Sequence, residues 1–281
     1  MELLDVANRA LVRLGAKKID SLSEESDSAI ACNEEAEACR LETLRAFPWN
    51  FARGRFRLNT FPSATLVPGV QVVDTDVNFF SAASPFVAGR DEGFILKLQG
   101  SSEGSARIVS VTDAQNVIAT VESVFPGGVT PLTTGQWYFK PGWEFEYRYP
   151  KPSDYVRLIK VQRVGALGAT AAILWSYWRD LGSEPEPIKV EGDFLVSDAG
   201  TRLDIMYTRD ITDLDKWDAL ALSALAARLA FRICYAVTGS LQAARTQHDS
   251  FVEILAEART MDSQEGSIDQ TGSDILLTVR V

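Results

Sequence analysis

The sequence predicts an α+β fold: a discontinuous helical assembly domain from both chain ends, antiparallel β structure, and an inserted small β module. Three observations lead there. Helical periodicity is confined to residues 2–58 and 206–262. The stretch between them is cut by prolines and glycines into short β-prone runs. Helices at the two ends of a chain usually bury their apolar faces against each other. The expected parts are 1–61 with 147–262 as one helical/β domain, 62–146 as the inserted β module, and 263–281 as a C-terminal arm.

The first helix is expected over 2–14, because Leu3, Ala7, Ala10, Leu11 and Leu14 recur at three and four residues and Gly15 stands at C′. Ser21 and Glu24 have capping-box spacing ahead of the second helix, and Glu24, Glu25 and Asp27 suit the positive end of its dipole. Ala29, Ile30, Ala36, Leu41 and Leu44 form its inward face, and Pro48 stops it. From 61 to 147, prolines separate the runs VQVV, FILKL, ARIVSV and VIATVESV, with turns at Gly100, Gly104 and Gly127–Gly128. From 148 to 210 the runs YVRLIKVQRV, ILWSYW, FLVS and LDIMY continue the β character, split by GALGAT, GSEPEP and DAG. Thr212 and Asp215 have capping-box spacing for a third helix with Trp217, Leu220, Ala221, Ala224, Leu225 and Leu229 on its face. After a turn at Thr238-Gly239-Ser240, a fourth helix lines up Leu241, Ala244, His248, Phe251, Val252, Leu255 and Ala258. Residues 263–274 are polar and lead to the apolar ILLTVRV.

Composition removes several function classes. With 28 basic and 38 acidic residues the chain carries a formal net charge of −10, which argues against tight nucleic-acid binding. Cys32 and Cys39 are seven apart on one helix, ~10 Å along its axis. That exceeds the ~7 Å a disulfide allows, so free thiols and intracellular folding are expected. No CxxC or CxxH spacing suggests zinc, and the one histidine, His248, reads as a packing residue. No phosphate-binding GxxxxGK[ST] and no GxGxxG occurs, so no cofactor is expected. The longest apolar stretch, Ala219 to Tyr235, is interrupted by Arg228 and Arg232, so no membrane span is expected, and Glu2 and Asp5 are unlike a basic signal-peptide start. Asp91 with Glu92, or Glu144 with Glu146, could form a glycosidase pair near Trp137 and Trp143. Neighbouring loop acids are more often simply solvated. A tail-associated carbohydrate-binding or hydrolytic protein using the β insert is the rival reading.

Three blocks carry a family resemblance. ANRALVRLGA at 7–16, then SLSEES at 21–26 and RAFPWNFA at 45–52, form the first; YRYPKPSDYVRLIKV at 147–161 is the second; IMYTRDITDLDKWDALALSALAARLA at 205–230 is the third. In that order they resemble the head-to-tail adaptor of short-tailed bacteriophages, the tail tubular protein A-like family. Residues 62–146 are not covered by the resemblance. It implies a structural virion protein, made in the host cytoplasm and without enzymatic activity. It also implies a homo-oligomeric ring, a dodecamer, between the portal ring and the tail tube or nozzle. DNA would pass through its channel during genome ejection without sequence-specific binding. Twelve chains at −10 carry −120 together, and an acidic lumen would repel phosphate.

The resemblance further implies that the C-terminus engages the portal, which assigns docking to Ile275, Leu276, Leu277, Val279 and Arg280; the alternative is a last strand on the chain's own β structure. Arg40, Arg45, Arg53, Arg55 and Arg57 make a basic cluster that reads as a subunit interface, as a DNA contact, or as a solvated strand edge with ordinary ion pairs. Trp49 is either an interface anchor or a core residue closing the helix pair.

Overall fold

A computed structural model describes residues 2–163 and 188–265. The fold is mixed α+β with antiparallel pairing, as the sequence predicts at that level. The chain divides into two compact units. One takes the described residues of Met1–Arg55, Ser153–Lys160 and Ile205–Val281; the other takes those of Phe56–Pro152 and Val161–Asp204.

The first unit holds four helices among the described residues: α1 (Leu3–Arg13), α2 (Asp27–Ala46), α3 (Ala219–Thr238) and α4 (Leu241–Glu265). α1 ends as Gly15 predicts. That glycine has φ +70°, Gly15 N–H donates to Val12 O (3.1 Å), and Ala16 N–H donates to Leu11 O (3.0 Å), which satisfies two orphan carbonyls. α3 packs against α1, α2 and α4. Its buried Ala221, Ala224, Ala226, Ala227 and Ala230 let neighbouring backbones approach, while Leu222, Leu225, Leu229 and Ile233 supply apolar bulk. By length and composition alone α3 could cross a membrane. Here these apolar side chains are buried inside the unit, and its two arginines are bound. Arg228 donates to Glu42 of α2 (2.7 Å) and Arg232 pairs with the same carboxylate.

Local details depart from the sequence reading. Ser26, not Ser21, caps α2 by accepting from Ala29 N–H (3.3 Å). Asp218, not Thr212, caps α3 by accepting from Leu220 N–H (2.9 Å) and Ala221 N–H (3.4 Å). Ser21 and Glu24 lie in a turn, where Glu24 accepts from Asp20 N–H, and residues 214–216 form a separate 3-10 turn. The inward face of α2 is Ala29, Cys32, Ala36, Cys39, Arg40, Thr43 and Leu44; Ile30 points out. On α4, Leu255 and Ala258 are buried, whereas Leu241, His248 and Val252 are exposed. α4 also runs through Glu265, so the arm expected from 263 begins later.

The strands are β1 (Arg53–Asn59), β2 (Val67–Pro68), β3 (Asp76–Phe80), β4 (Ile95–Leu98), β5 (Ser105–Val111), β6 (Asn116–Ser123), β7 (Trp137–Lys140), β8 (Tyr147–Pro150), β9 (Tyr155–Arg163), β10 (Lys189–Glu191), β11 (Phe194–Ser197) and β12 (Arg202–Arg209). A six-stranded sheet runs β2-β3-β6-β5-β4-β7, and two three-stranded sheets run β10-β11-β8 and β1-β12-β9. On β6, Val117, Ala119 and Val121 alternate inward over a core of Leu66, Phe79, Phe86, Leu96, Phe125 and Trp137. Trp137 closes that core and donates its indole N–H to Ala64 O (3.0 Å). The expected strand VQVV is instead a loop after the edge residue Pro68, with Val70 80% exposed. Gly104 is required where it stands: φ is +82° and a Cβ would lie 2.8 Å from the Phe125 ring.

The second unit is larger than the 62–146 insert read from the sequence. Its boundaries fall inside β1, β9 and β12. β8 and β11 belong to it because Arg148 pairs with Asp91 and Phe194 meets the Phe94 ring. ILWSYW, GALGAT and GSEPEP lie outside the described residues.

Candidate functional site

The three blocks behind the family resemblance meet within the helical unit. Arg40 of α2 is only 1% exposed. Its guanidinium donates to Glu37 (2.9 and 2.6 Å), to Ile211 O (3.0 Å) and to Asp210, just past β12. These bonds favour the charged guanidinium and raise the Arg40 pKa. Asp154, from the Pro-Ser-Asp turn, accepts from Tyr207 Oη (2.8 Å) and Arg209 Nε (2.7 Å) on β12, and accepts Asp210 N–H through its main-chain carbonyl (2.7 Å). Gly54 of β1 passes so close to Arg209 that a Cβ there would lie 2.6 Å from its Cγ. The second block is thus tied to the third through Asp154, and Arg40, which lies between the quoted pieces of the first block, is tied to the third through Asp210.

Trp49 is 0% exposed and donates its indole N–H to Thr43 O (2.8 Å). It stacks on Phe51 at 6.0 Å, and Phe51 lies 5.3 Å from Trp217. The next residue, Asn50, donates its N–H to Asp262 Oδ1 (2.9 Å) near the end of α4. Trp49 therefore fills the core of the helical unit.

The structure removes Arg40 from the expected cluster, because it is internal, and places Arg53, Arg55 and Arg57 at alternate exposed positions of β1. Arg45 is exposed and directs its guanidinium to Val156 O at 3.4 Å; Arg53 donates to Pro48 O (3.1 Å); Arg55 is exposed; Arg57 pairs with Asp204 (2.7 Å). Arg40 and Trp49 are thereby withdrawn from the expected subunit contact, because buried side chains cannot meet a second chain. The docking residues Ile275, Leu276, Leu277, Val279 and Arg280 lie outside the described residues.

In the β unit the acids singled out as a hydrolytic pair are engaged. Asp91, 0% exposed, accepts from Arg90 (2.8 and 2.9 Å), Val87 N–H (2.9 Å) and Arg148 Nη1 (3.1 Å). Burial alone would raise its carboxyl, but the two guanidiniums and the amide hold it below the usual range. Arg148 sits with its guanidinium carbon 3.9 Å from the Phe139 ring centre, 4.1 Å from Phe94 and 4.4 Å from Phe194. Burial draws its pKa down to about 10. Glu146 accepts from Lys97 (2.8 Å), Tyr138 Oη (2.6 Å) and Lys140; burial opposes its charge, yet these donors hold it at about 2. Glu144 pairs with Lys189, and Glu92 is exposed. Trp137 is core and Trp143 is exposed, so they form no shared platform.

His248 is exposed beside Phe231, with ring centres 5.1 Å apart. Burial pushes the Cys32 thiol up to about 11 and the Cys39 thiol to about 12. No group of metal-ligating side chains occurs among the described residues. A cleft of about 470 Å³ opens in the helical unit between the start of α1, the 21–22 turn and residues 212–214.

Sequence reasoning did not single out Asp154, Asp210, Glu42 or Arg148. Arg148 had a signal, a lone arginine inside the aromatic run YRYP. In comparison with known proteins, no family model matches the chain and no curated protein matches it.

Proposed function

We propose that this chain is a structural virion protein: a ring-forming head-to-tail adaptor that joins a portal ring to the tail tube and surrounds the exit path of DNA. The observation that carries this reading is the meeting of the three resemblance blocks through Phe51–Trp217 and Asp154–Tyr207/Arg209. Residues more than fifty positions apart, lying in blocks of one family pattern, help to tie a helical unit together. In this reading the unit made from both chain ends is the discontinuous assembly domain. The internal pairing of Asp91, Glu144 and Glu146 weighs toward a building part over a hydrolase. The net charge of −10 suits a conduit that DNA must leave.

Electron microscopy of the purified chain, alone and mixed with its portal ring, is the test. The expected outcome is dispersed subunits alone and a twelve-fold ring seated on the portal when mixed. Absence of any association with the portal would overturn the proposal. A companion truncation after Glu265 keeps the Asp262–Asn50 contact intact and is expected to abolish that association.

A further inference from the structure

Charge is sorted sharply along the first two helices. Residues 6–19 hold four cations, Arg9, Arg13, Lys17 and Lys18, and no acid. Residues 20–39 hold seven acids and no cation. All four cations are exposed, and none has a carboxylate partner among the described residues. Arg40, Arg148, Arg228 and Arg232, by contrast, are each held by a carboxylate of their own chain. On α2, Glu37 is taken by Arg40, and Glu35 lies 4.0 Å from Arg232. Glu25, Asp27 and Glu34 are exposed and bind no cation among the described residues.

Each set of charges surrounds an exposed aliphatic side chain. Val12, 55% exposed, stands one helical turn after Arg9 on α1. Ile30, 48% exposed, stands one turn after Asp27 and one turn before Glu34 on α2. An apolar centre with a charged rim is the anatomy of a docking surface. α1 and α2 touch within the helical unit, yet these charges do not pair inside the chain. Both faces therefore stay open to another molecule, and each complements the other in sign and in form.

We propose that the basic α1 face of one copy docks on the acidic α2 face of a second copy, with Val12 against Ile30 at the centre and Arg9, Arg13 and Lys17 directed at Asp27 and Glu34. It rests on the ring-forming reading for the number of copies and names the surfaces through which they meet. A contact between two different faces leaves one of each free for a further copy, as a ring requires. Exposed charges around a small apolar centre make the contact weak and salt-sensitive, in keeping with subunits that stay apart in dilute solution until a partner gathers them.

Disulfide trapping of the full chain detects a contact of this strength. Val12→Cys and Ile30→Cys are made in separate chains, mixed in equal amounts at high protein concentration and oxidised; the native cysteines are buried and stay silent. At low salt the mixed dimer is expected to exceed either homodimer by about tenfold, and at high salt to fall to the proportion of random encounters. Adding Arg9→Glu to the Val12→Cys chain should remove the excess, and adding Glu34→Lys to the Ile30→Cys chain should then restore it. Arg202→Glu, at an exposed position of β12, makes the same change in net charge and should leave the excess in place, which separates docking from general attraction. Random proportions at low salt, or an excess indifferent to Arg9→Glu, would overturn the proposal without bearing on whether the chain binds a portal. A short DNA duplex is tested in parallel. Its binding to the wild-type chain and loss in Arg9→Glu, alongside random proportions in the trap, would give the basic face to nucleic acid and sink the contact between copies.

Discussion

Replacing Arg148 by methionine is the sharpest probe of the β unit. The guanidinium lies 3.9–4.4 Å from three ring centres and 3.1 Å from Asp91 Oδ1, and both partners of the ion pair are sealed from water. Arg148→Met keeps the stem in place and removes the charge. It forfeits a charge-assisted hydrogen bond of ~1.5–3 kcal/mol and a desolvated cation–π contact of ~2 kcal/mol. Against this, the desolvation cost of the guanidinium disappears. Breaking one side of a buried pair costs ~3–5 kcal/mol in general. Asp91 keeps Arg90 and Val87 N–H, so the low end, ~3 kcal/mol, is expected here. Urea unfolding followed by circular dichroism measures the loss, with Arg148→Lys as a second variant that keeps the charge but not the planar stack and should recover less than half. A cycle with Asp91→Asn should show coupling of at least ~1 kcal/mol. Wild-type stability in Arg148→Met, or additivity in the cycle, would refute the reasoning and show that packing among Phe94, Phe139 and Phe194 suffices without the charge.

Glu146, held at about 2 against an ordinary 4.5, contributes stability that is present above pH ~4.5 and lost as pH falls toward ~2; thermal melts of Glu146→Gln should show a flatter profile across that window, and parallel profiles would contradict the assignment. Gly54→Ala would place a Cβ 2.6 Å from Arg209 Cγ and 3.0 Å from Tyr207 Cε1, so urea unfolding should register a loss of ~1–3 kcal/mol, and a neutral result would mean that Arg209 gives way freely. Burial raises the Asp262 carboxyl, and its Oδ2 has no hydrogen-bond partner among the described residues. Its favourable protonated form is complete below the ordinary value of 3.8 and is lost as pH rises through the raised one, so Asp262→Asn should melt at or above wild type at pH 7, with the difference shrinking toward pH 4. A loss above ~1 kcal/mol at pH 7 would show that attraction to Arg53 dominates.

How much was legible in the sequence depends on how far each contact reaches. The helices were readable because a 3.6-residue period is written locally in α1 and α4, and Gly15 announced its own left-handed backbone. The caps were misplaced because the spacing of Ser21 with Glu24 is only a local hint. In the structure Asn8 holds both the N–H and the carbonyl of Ile19 (2.9 and 3.0 Å) across eleven residues, and α2 starts only at Asp27, behind the Ser26 cap. The valines of VQVV have strand propensity, but propensity does not decide a segment that follows an edge proline and pairs with no strand among the described residues. Arg40 read as a surface cation because composition cannot reveal a partner 170 positions away. Arg53, Arg55 and Arg57 stand at alternate exposed positions of β1, so nearness in sequence was a fair guide for them and misled only for the buried Arg40.

The same internal pairing explains why an acidic chain can be well held together without presenting a basic surface. Arg40, Arg57, Arg209, Arg228 and Arg232 are bound to Asp210, Asp204, Asp154 and Glu42 of their own chain, and Arg148, Lys97 and Lys140 to Asp91 and Glu146. These eight cations share six carboxylates, and the pairing leaves the formal −10 unchanged. The excess must then sit on acids without a bound cation, and apart from the buried Asp262 those are favoured at the surface by the cost of burying an unpaired carboxylate. Identical copies brought side by side repel through that surface until specific contacts offset it, and a polyanion beside them is kept from adhering. Under the proposed reading, both consequences would suit a part that is added to a partner in order.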